Sequence, residues 1–545
     1  MQTIFDTTRP RRGARALLLG GAVALALAGC RDKDETKATA EIGDVKIERL
    51  SDRDMDAYFD VDARDVSDAD GEAGLAALGL LEANDTVSWG DREGSGGDYT
   101  FSDLTLTSED GAVLAIDSLR LQGVRETGGV AALDLMVADD AVLTPPEAEG
   151  ALRIERMRLV DPDLTDVEAF LSGDSGVELP SARAFSVSGV SGELDDEDTE
   201  GTIAVKSLAF AKPRTATSAD GFMVLDDVDI RVTDSESGNP VPIRITADDV
   251  MIGGVADAAI FDGDFDGLMK GSMMPTGEEL PYRSMLVEDV EFAVDTMVFD
   301  ISAIRASADV DGDRIVSRSR VEPMRFAFTG APTDPELMPL YSGMQQVGIE
   351  EVVITAGGAT VVDFAADTMV AEANYLDLQD LMRMEIDMEM GGVKAVREAH
   401  AAARAELGEV PGPGASPEEL LDYEMKVAQS GLAGMDQLTV DRFRVGIDDN
   451  SIMDKIFEQI AAQQGTTSKA LRMQTKGMLA MGTMMAGETG VDPEIVSELI
   501  TAVGEFIDNP GSELVLTVDP ATPTLVTGLQ GMDKAAMGFS ATVEK

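Results

Sequence analysis

What this chain can fold into is constrained most by a long succession of short runs in which apolar residues recur at every second position. Leu104 and Leu106, Leu114 and Ile116, Leu119 and Leu121, Leu208 and Phe210, Ile243 and Ile245, and Phe292 and Val294 are examples, and the series continues to Val362 and Phe364. Period two places the apolar residues of a run on one face of a strand. Turn formers such as Glu109-Asp110-Gly111, Asp311-Gly312-Asp313 and Ala356-Gly357-Gly358 separate the runs. One degenerate unit recurs, a polar residue followed by apolar, any, apolar. It begins at Asp103, Ser118, Ser207, Asp227, Asp249 and Asp289, at intervals too irregular for a true repeat.

The expected fold is therefore α+β and mainly β. An extended antiparallel meander over residues 45–392, curled or grooved, precedes a smaller helical α/β region at the C-terminus. A sheet with one apolar face must fold over, be covered by helices, or hold something apolar. Leu104, Leu106, Val228, Ile230, Phe292 and Val294 are the candidate ligand-facing residues of that face. The stretch Met382 to Met390 has helix-favouring residues but alternates strictly, and period outweighs propensity, so a strand is expected. An alanine-rich helix then runs from Val393 to Leu407. The linker Pro411 to Pro417 follows, with a further helix from Ser416, and together residues 393–436 form a helical segment. From 437 the pattern is a strand (438–447), three helices (to Gln464, 468–485 and 492–507) and strands at 513–518 and 538–543. Asp448 to Ser451 supply caps for the first helix, and Asp492 with Pro493 begins the third. Within the meander, Asp163 to Leu171 carries a helix signal with Thr165 and Glu168 at capping-box spacing.

The N-terminus has a different character. Arg9, Arg11, Arg12 and Arg15 precede an uncharged run from Ala16 to Ala28 that is too short to span a bilayer. It ends in Leu25-Ala26-Leu27-Ala28-Gly29-Cys30, with the only cysteine of the chain. This segment resembles a bacterial lipoprotein signal with its lipobox. The resemblance implies cleavage between Gly29 and Cys30, acylation of Cys30, and a periplasm-facing protein held in the envelope by its lipid. Arg31, where aspartate favours inner-membrane retention, implies the outer membrane. Residues 30–44, mostly charged or small, suit a tether. The alternating meander behind a membrane anchor also resembles, by pattern alone and over roughly residues 45–390, the periplasmic region of AsmA-like envelope proteins. That family implies a sheet curled into an open groove associated with lipid handling. It usually carries a transmembrane helix where this chain has a lipobox.

Composition limits the chemistry. The net charge of −59 becomes −62 once residues 1–29, with four arginines and Asp6, are removed. Such a field repels nucleic acid and anionic lipid headgroups at long range, and favours solubility in salt, divalent cations or basic partners. One histidine, His400, and no thiol beyond Cys30 leave little for metal, redox or triad chemistry. Neither a Gly-x-Ser-x-Gly elbow nor a phosphate-binding glycine loop is present. No enzymatic activity and no resident cofactor are expected. Asp262, Asp264, Asp266 and Gly267 match the first half of a calcium loop, but the twelfth position is Met273 rather than a bidentate acid, so a polar turn is the plainer reading. Met478, Met481, Met484 and Met485 at one-turn spacing read as a core or adaptable apolar helix face rather than a Cu(I) site. The expected partners are the membrane through the anchor, and either a lipid ligand or an envelope protein. In the second case the sheet is a closed core and the chain is a structural or interaction lipoprotein.

Overall fold

The computed structural model describes residues 45, 47, 49–50, 55–62, 64–108, 111–145, 150–162, 182–196, 199–214, 220–234, 241–255, 282–335, 337–407, 423, 425–426, 434–486, 491–529 and 531–545. Among these, twenty strands form one antiparallel sheet that does not close into a barrel. Strands β1 (Val87–Ser88) and β2 (Asp91–Ser95) both pair with β3 (Asp98–Thr107). The meander continues through β4 (Val113–Gln122) and, past the small hairpin of β5 (Arg125–Thr127) and β6 (Val130–Ala132), through β7 (Leu135–Thr144), β8 (Leu152–Val160), β9 (Ala184–Asp196) and β10 (Thr199–Ala211). It then takes in β11 (Gly221–Asp234), β12 (Val241–Val255), β13 (Ser284–Val294), β14 (Met297–Asp311), β15 (Arg314–Phe328), β16 (Glu351–Asp363), β17 (Thr368–Leu378), β18 (Met382–Gly391) and β19 (Thr439–Asp449). Strands β20 (Glu513–Val518) and β21 (Thr524–Leu525) pair with β19, and β22 (Ser540–Glu544) lies beyond β20. The helices are α1 (Asp68–Ala77), α2 (Met338–Gln346), α3 (Val393–Leu407), α4 (Ile452–Gln464), α5 (Ser468–Ala486), α6 (Pro493–Asp508) and α7 (Lys534–Met537).

Mainly-β architecture, the strand at Met382 and the C-terminal helices agree with the expected pattern. The region from 437 is an extension of the same sheet, because β19 pairs along its length with β18. Helices α1 and α2 had no strong periodic signal; α1 is started by Ser67, whose hydroxyl accepts from Asp70 N at 3.2 Å. The helix signal at 163–171, the linker at 411–417 and most of the helix from Ser416 lie outside the described residues.

One row of side chains crosses the sheet from β3 to β22. Following the register, Phe101 lies beside Leu119, then Ala138, Met157, Val187, Leu208, Leu225, Val250 and Val287. It continues through Ile304, Val321, Ala356, Leu376, Met384, Ile447 and Leu514 to Val543. Every member is apolar. At about 4.8 Å per strand the row runs for on the order of 75 Å, and it defines the apolar face.

Beside this row the sheet is creased. Asp103, Asp140, Gly189, Asp227 and Asp289 adopt left-handed φ values of 51°, 52°, 62°, 46° and 48°. They occupy β3, β7, β9, β11 and β13, every second strand in space, so all point the same way along the sheet. Further along, alternate strands carry register shifts instead, at Val321/Met324 in β15 and around Ala373 (φ 52°) in β17. Each left-handed residue shifts the alternation by one. Phe101 and Leu104 both face the apolar side, while Ser102 and Asp103 between them both face the other. Two successive outward side chains lengthen the outer path, and the sheet bends toward its apolar face. Aspartate tolerates this backbone better than most residues.

The outer face is acidic along the crease and laced by cations. Lys206 Nζ lies 2.8 Å from Asp226 and 3.1 Å from Asp227, Arg49 bridges Asp249 and Glu288, and Arg305 bridges Glu288 and Glu322. Burial pushes the Asp249 carboxyl up, with Asp226 and Glu288 adding to the effect against the pull of Arg49. Part of this face is covered by the N-terminal residues before α1. Ile47, Leu50, Met55, Tyr58, Phe59 and Val61 pack on Leu135, Val160, Phe222, Met251 and Leu286, with Arg158 over Phe59 and Arg214 over Tyr58 at 4.0 and 4.2 Å.

At the C-terminal end α6 is clasped to β22. Asp492 accepts from Glu494 N at 2.8 Å and Lys534 N at 2.7 Å, which holds its carboxyl below the usual range. Glu498 is lowered first by Lys534 and then by the amide of Ala541, 2.9 Å away. Both are downward carboxylate shifts, so their contribution is complete above about pH 4.5 and is lost as pH falls through the lowered values. Glu498→Gln is expected to flatten the acid limb of stability against pH; an unchanged limb in urea titrations would contradict this. At the crease, Asp289→Gly is expected to keep or raise stability and Asp289→Val to lower it by about 1–2 kcal/mol, measured as the urea midpoint.

Candidate functional site

The apolar face is covered unevenly. Over β3 to β9 it is sealed, since Leu75 of α1 with Leu80, Val124 and Leu133 packs on Phe101, Leu104, Leu119, Leu159 and Phe185. At the other end Ala502 and Phe506 of α6 pack on Leu514 and Ala541, with Ile447, Leu516 and Val543. Val393 and Val396 of α3 cover Ile315, Val362, Met369 and Met390 in the half of β15 to β18 beyond the crease.

Between these covers runs a second apolar ladder. Ile203, Ile230, Ile245, Phe292, Phe299, Phe326 and Val352 stand side by side on seven successive strands, β10 to β16. All seven are half-buried. Their local cluster consists of strand side chains alone: Ile304, Val321, Met324 and Ile354, with Phe299, Ile301, Leu376 and Leu378. Among the described residues no helix lies on the ladder; α2 reaches only its margin, where Tyr341 meets Phe328 edge-on at 5.4 Å. Among the described residues the result is an apolar trough, covered at both ends and uncovered along its middle.

Of the six side chains expected on this face, all six lie on it. Ile230, Phe292 and Val294 line the open stretch, and Val228 stands beside them, buried against its neighbours. Leu104 is 1 % exposed within the sealed end and Leu106 packs against the same cluster, so these two belong to a closed core with no surface to offer a ligand. Gly29, Cys30, Asp262, Asp264 and Asp266 lie outside the described residues. Among the described residues no cluster of three or more His, Cys, Asp or Glu could hold a metal ion, and no helix is long and apolar enough to cross a membrane. His400 sits half-buried on α3.

Two shallow depressions accompany the trough. One, of about 590 Å³, lies between the turn after β17 and the start of α4, lined by Asp377, Gln379, Asp380, Asn450, Ser451 and Lys455. The other, of about 460 Å³, lies between α6 and β22. In the first the Ser451 hydroxyl donates to the Asp380 carbonyl, and in the second the Thr501 hydroxyl donates to the Ser497 carbonyl at 2.7 Å. Sequence reasoning expected the methionines of α5 in a core or on an adaptable apolar face. Met478 and Met481 are on an exposed face rather than in a core, at 52 % and 60 % exposure; Leu471 and Leu479 pack inward on α4 and α6, and the side chains of Met484 and Met485 lie outside the described residues.

Residues 375–543, somewhat under a third of the chain, match a protein family whose description reads only "Uncharacterized protein". The matched span begins within β17 and takes in the C-terminal helices and strands. No curated protein matches the chain.

The sealed end and the open middle predict different costs for similar deletions. Leu104→Ala is expected to cost about 2–5 kcal/mol, and Ile230→Ala less than half as much, by chemical denaturation. Equal costs would mean that the trough is packed like the end.

Proposed function

We propose that the chain is a lipid-anchored, non-enzymatic protein of the bacterial envelope that holds lipid or another apolar ligand in the trough. The observation that carries this reading is the ladder from Ile203 to Val352, a continuous apolar surface left half-open in a chain otherwise rich in charge. Large contiguous apolar patches on a protein surface mark binding sites. Six steps between seven strands at about 4.8 Å give a floor of roughly 30 Å, comparable to the apolar thickness of a bilayer. The lipobox-like end at Cys30 supports a periplasm-facing anchor, and Arg31 favours the outer membrane. The reading needs no cofactor and no nucleic acid.

A second reading, an interaction lipoprotein that engages another envelope protein, is favoured by the exposed apolar side chains on the C-terminal helices.

Native mass spectrometry with lipid extraction, on the chain from residue 30 with Cys30→Ser produced in a bacterial envelope, tests the first reading. Phospholipid is expected at defined stoichiometry in the parent protein, and the double variant Ile230→Asp, Phe292→Asp is expected to lose it while remaining folded. A clean apo mass for the parent protein would overturn the reading.

A further inference from the structure

We propose that helices α2, α4 and α5 form a docking platform for the surface of an anionic phospholipid bilayer, which presents the open side of the trough to the membrane. The proposal rests on the trough reading for its purpose, and on separate observations for its geometry.

More than half of the large apolar side chains exposed among the described residues sit on these three helices. Met338 and Leu340 lie on α2, Ile456 and Ile460 on α4, and Met473 and Met481, eight residues apart on one face, on α5 at 66 % and 60 % exposure. The helices are joined. Gln459 and Gln463 of α4 donate to Gln346 Oε1 at 3.1 and 3.3 Å, and Phe457 and Ala461 of α4 pack on Leu471 of α5 and Ile507 of α6. They stand on the trough side of the sheet, since Tyr341 of α2 meets Phe328 at the margin of the apolar face and α6 covers its end.

Charge selects the occupant. The chain carries 102 acidic residues, yet the 19 residues of α5 and the 9 of α2 include none; α4 carries two, Asp454, which pairs with Arg472 of α5 at 2.6 Å, and the exposed Glu458. Lys469 is exposed at the start of α5 and makes no ion pair among the described residues. An acidic protein approaching anionic headgroups is repelled except where its surface lacks carboxylates. Methionine side chains are flexible and apolar, suited to an irregular interface, and an apolar helix face with a flanking cation lies well at the boundary between headgroups and acyl chains.

The anchor permits this orientation. Near the start of the described residues, Ile47, Arg49 and Leu50 lie by the outer face near β12 and β13, where Arg49 meets Asp249 and Glu288. The 14 residues from Arg31 to Asp44 span at most roughly 50 Å when extended. From β12 to β19 is seven strand steps, roughly 34 Å. A tether from Cys30 therefore reaches a membrane that lies against the helices.

The test is flotation of the chain from residue 30 carrying Cys30→Ser, so that no acyl chain contributes, with mixed phosphatidylethanolamine and phosphatidylglycerol vesicles. The protein is expected to float with them, and Met473→Asp, Met481→Asp to lower the partition coefficient about tenfold at unchanged melting temperature, two apolar contacts being lost. The trough variant Ile230→Asp, Phe292→Asp is expected to float like the parent protein. Failure of the parent to float, equal flotation of the methionine variant, or cross-linking of α5 to an envelope protein in place of vesicles would overturn the proposal. Flotation lost with the methionines, in a protein without co-purified lipid, would uphold the platform and remove the trough reading alone.

Discussion

The structure depends on one constraint, that seventeen strands in register each contribute an apolar side chain to a single row from Phe101 to Val543. A one-residue slip anywhere in the meander would turn a strand's apolar set to the acidic side and expose its carboxylates to the apolar one. The left-handed residues beside the row make the same demand in a different way. Each shifts the alternation, so apolar residues on both sides of it reach the same face only if the shift falls at the same height in neighbouring strands. Row and crease therefore fix each other.

The crease also decides where its own carboxylates go. At Asp139 and Asp140, Asp226 and Asp227, and Glu288 and Asp289, two successive side chains leave the sheet on the outer face, where water and the cations Arg156, Lys206, Arg49 and Arg305 meet them. The apolar face is left free of carboxylates along the ladder from Ile203 to Val352. Closure by α1 at one end and α6 at the other then decides which part of the face is core and which is surface.

Much of this was legible in the residues. Strict alternation identified β18 against the helix preference of its methionines and glutamates, and Asp492 with Pro493 marked the start of α6, because the period of a strand and the chemistry of a cap are local. The polar residue of the recurring unit has a meaning that spacing alone did not disclose. At Asp103, Asp227 and Asp289 it is the left-handed residue itself, and at Ser118, Ser207 and Asp249 it follows the position opposite on the next strand. Alternation placed Leu104 and Phe292 on one face but did not separate them, since periodicity reports the side of a strand and carries nothing about what lies above it. For the same reason the methionines of α5 read as either core or an adaptable apolar face: a helix of 19 residues with leucine and methionine on most sides has no distinct polar face to decide between them.

Sequence alone thus determined the mainly-β class, the shared apolar face and the acidic character of the rest, because these follow from period, propensity and charge along short segments. Tertiary structure decided that the C-terminal strands join the same sheet, that left-handed aspartates fold it toward its apolar side, and that helices seal its ends while leaving its middle open. Those outcomes depend on register between strands and on contacts between residues distant in sequence, such as Arg49 with Glu288, 239 residues apart, or Glu498 of α6 with Ala541 of β22, 43 apart, which no local pattern encodes.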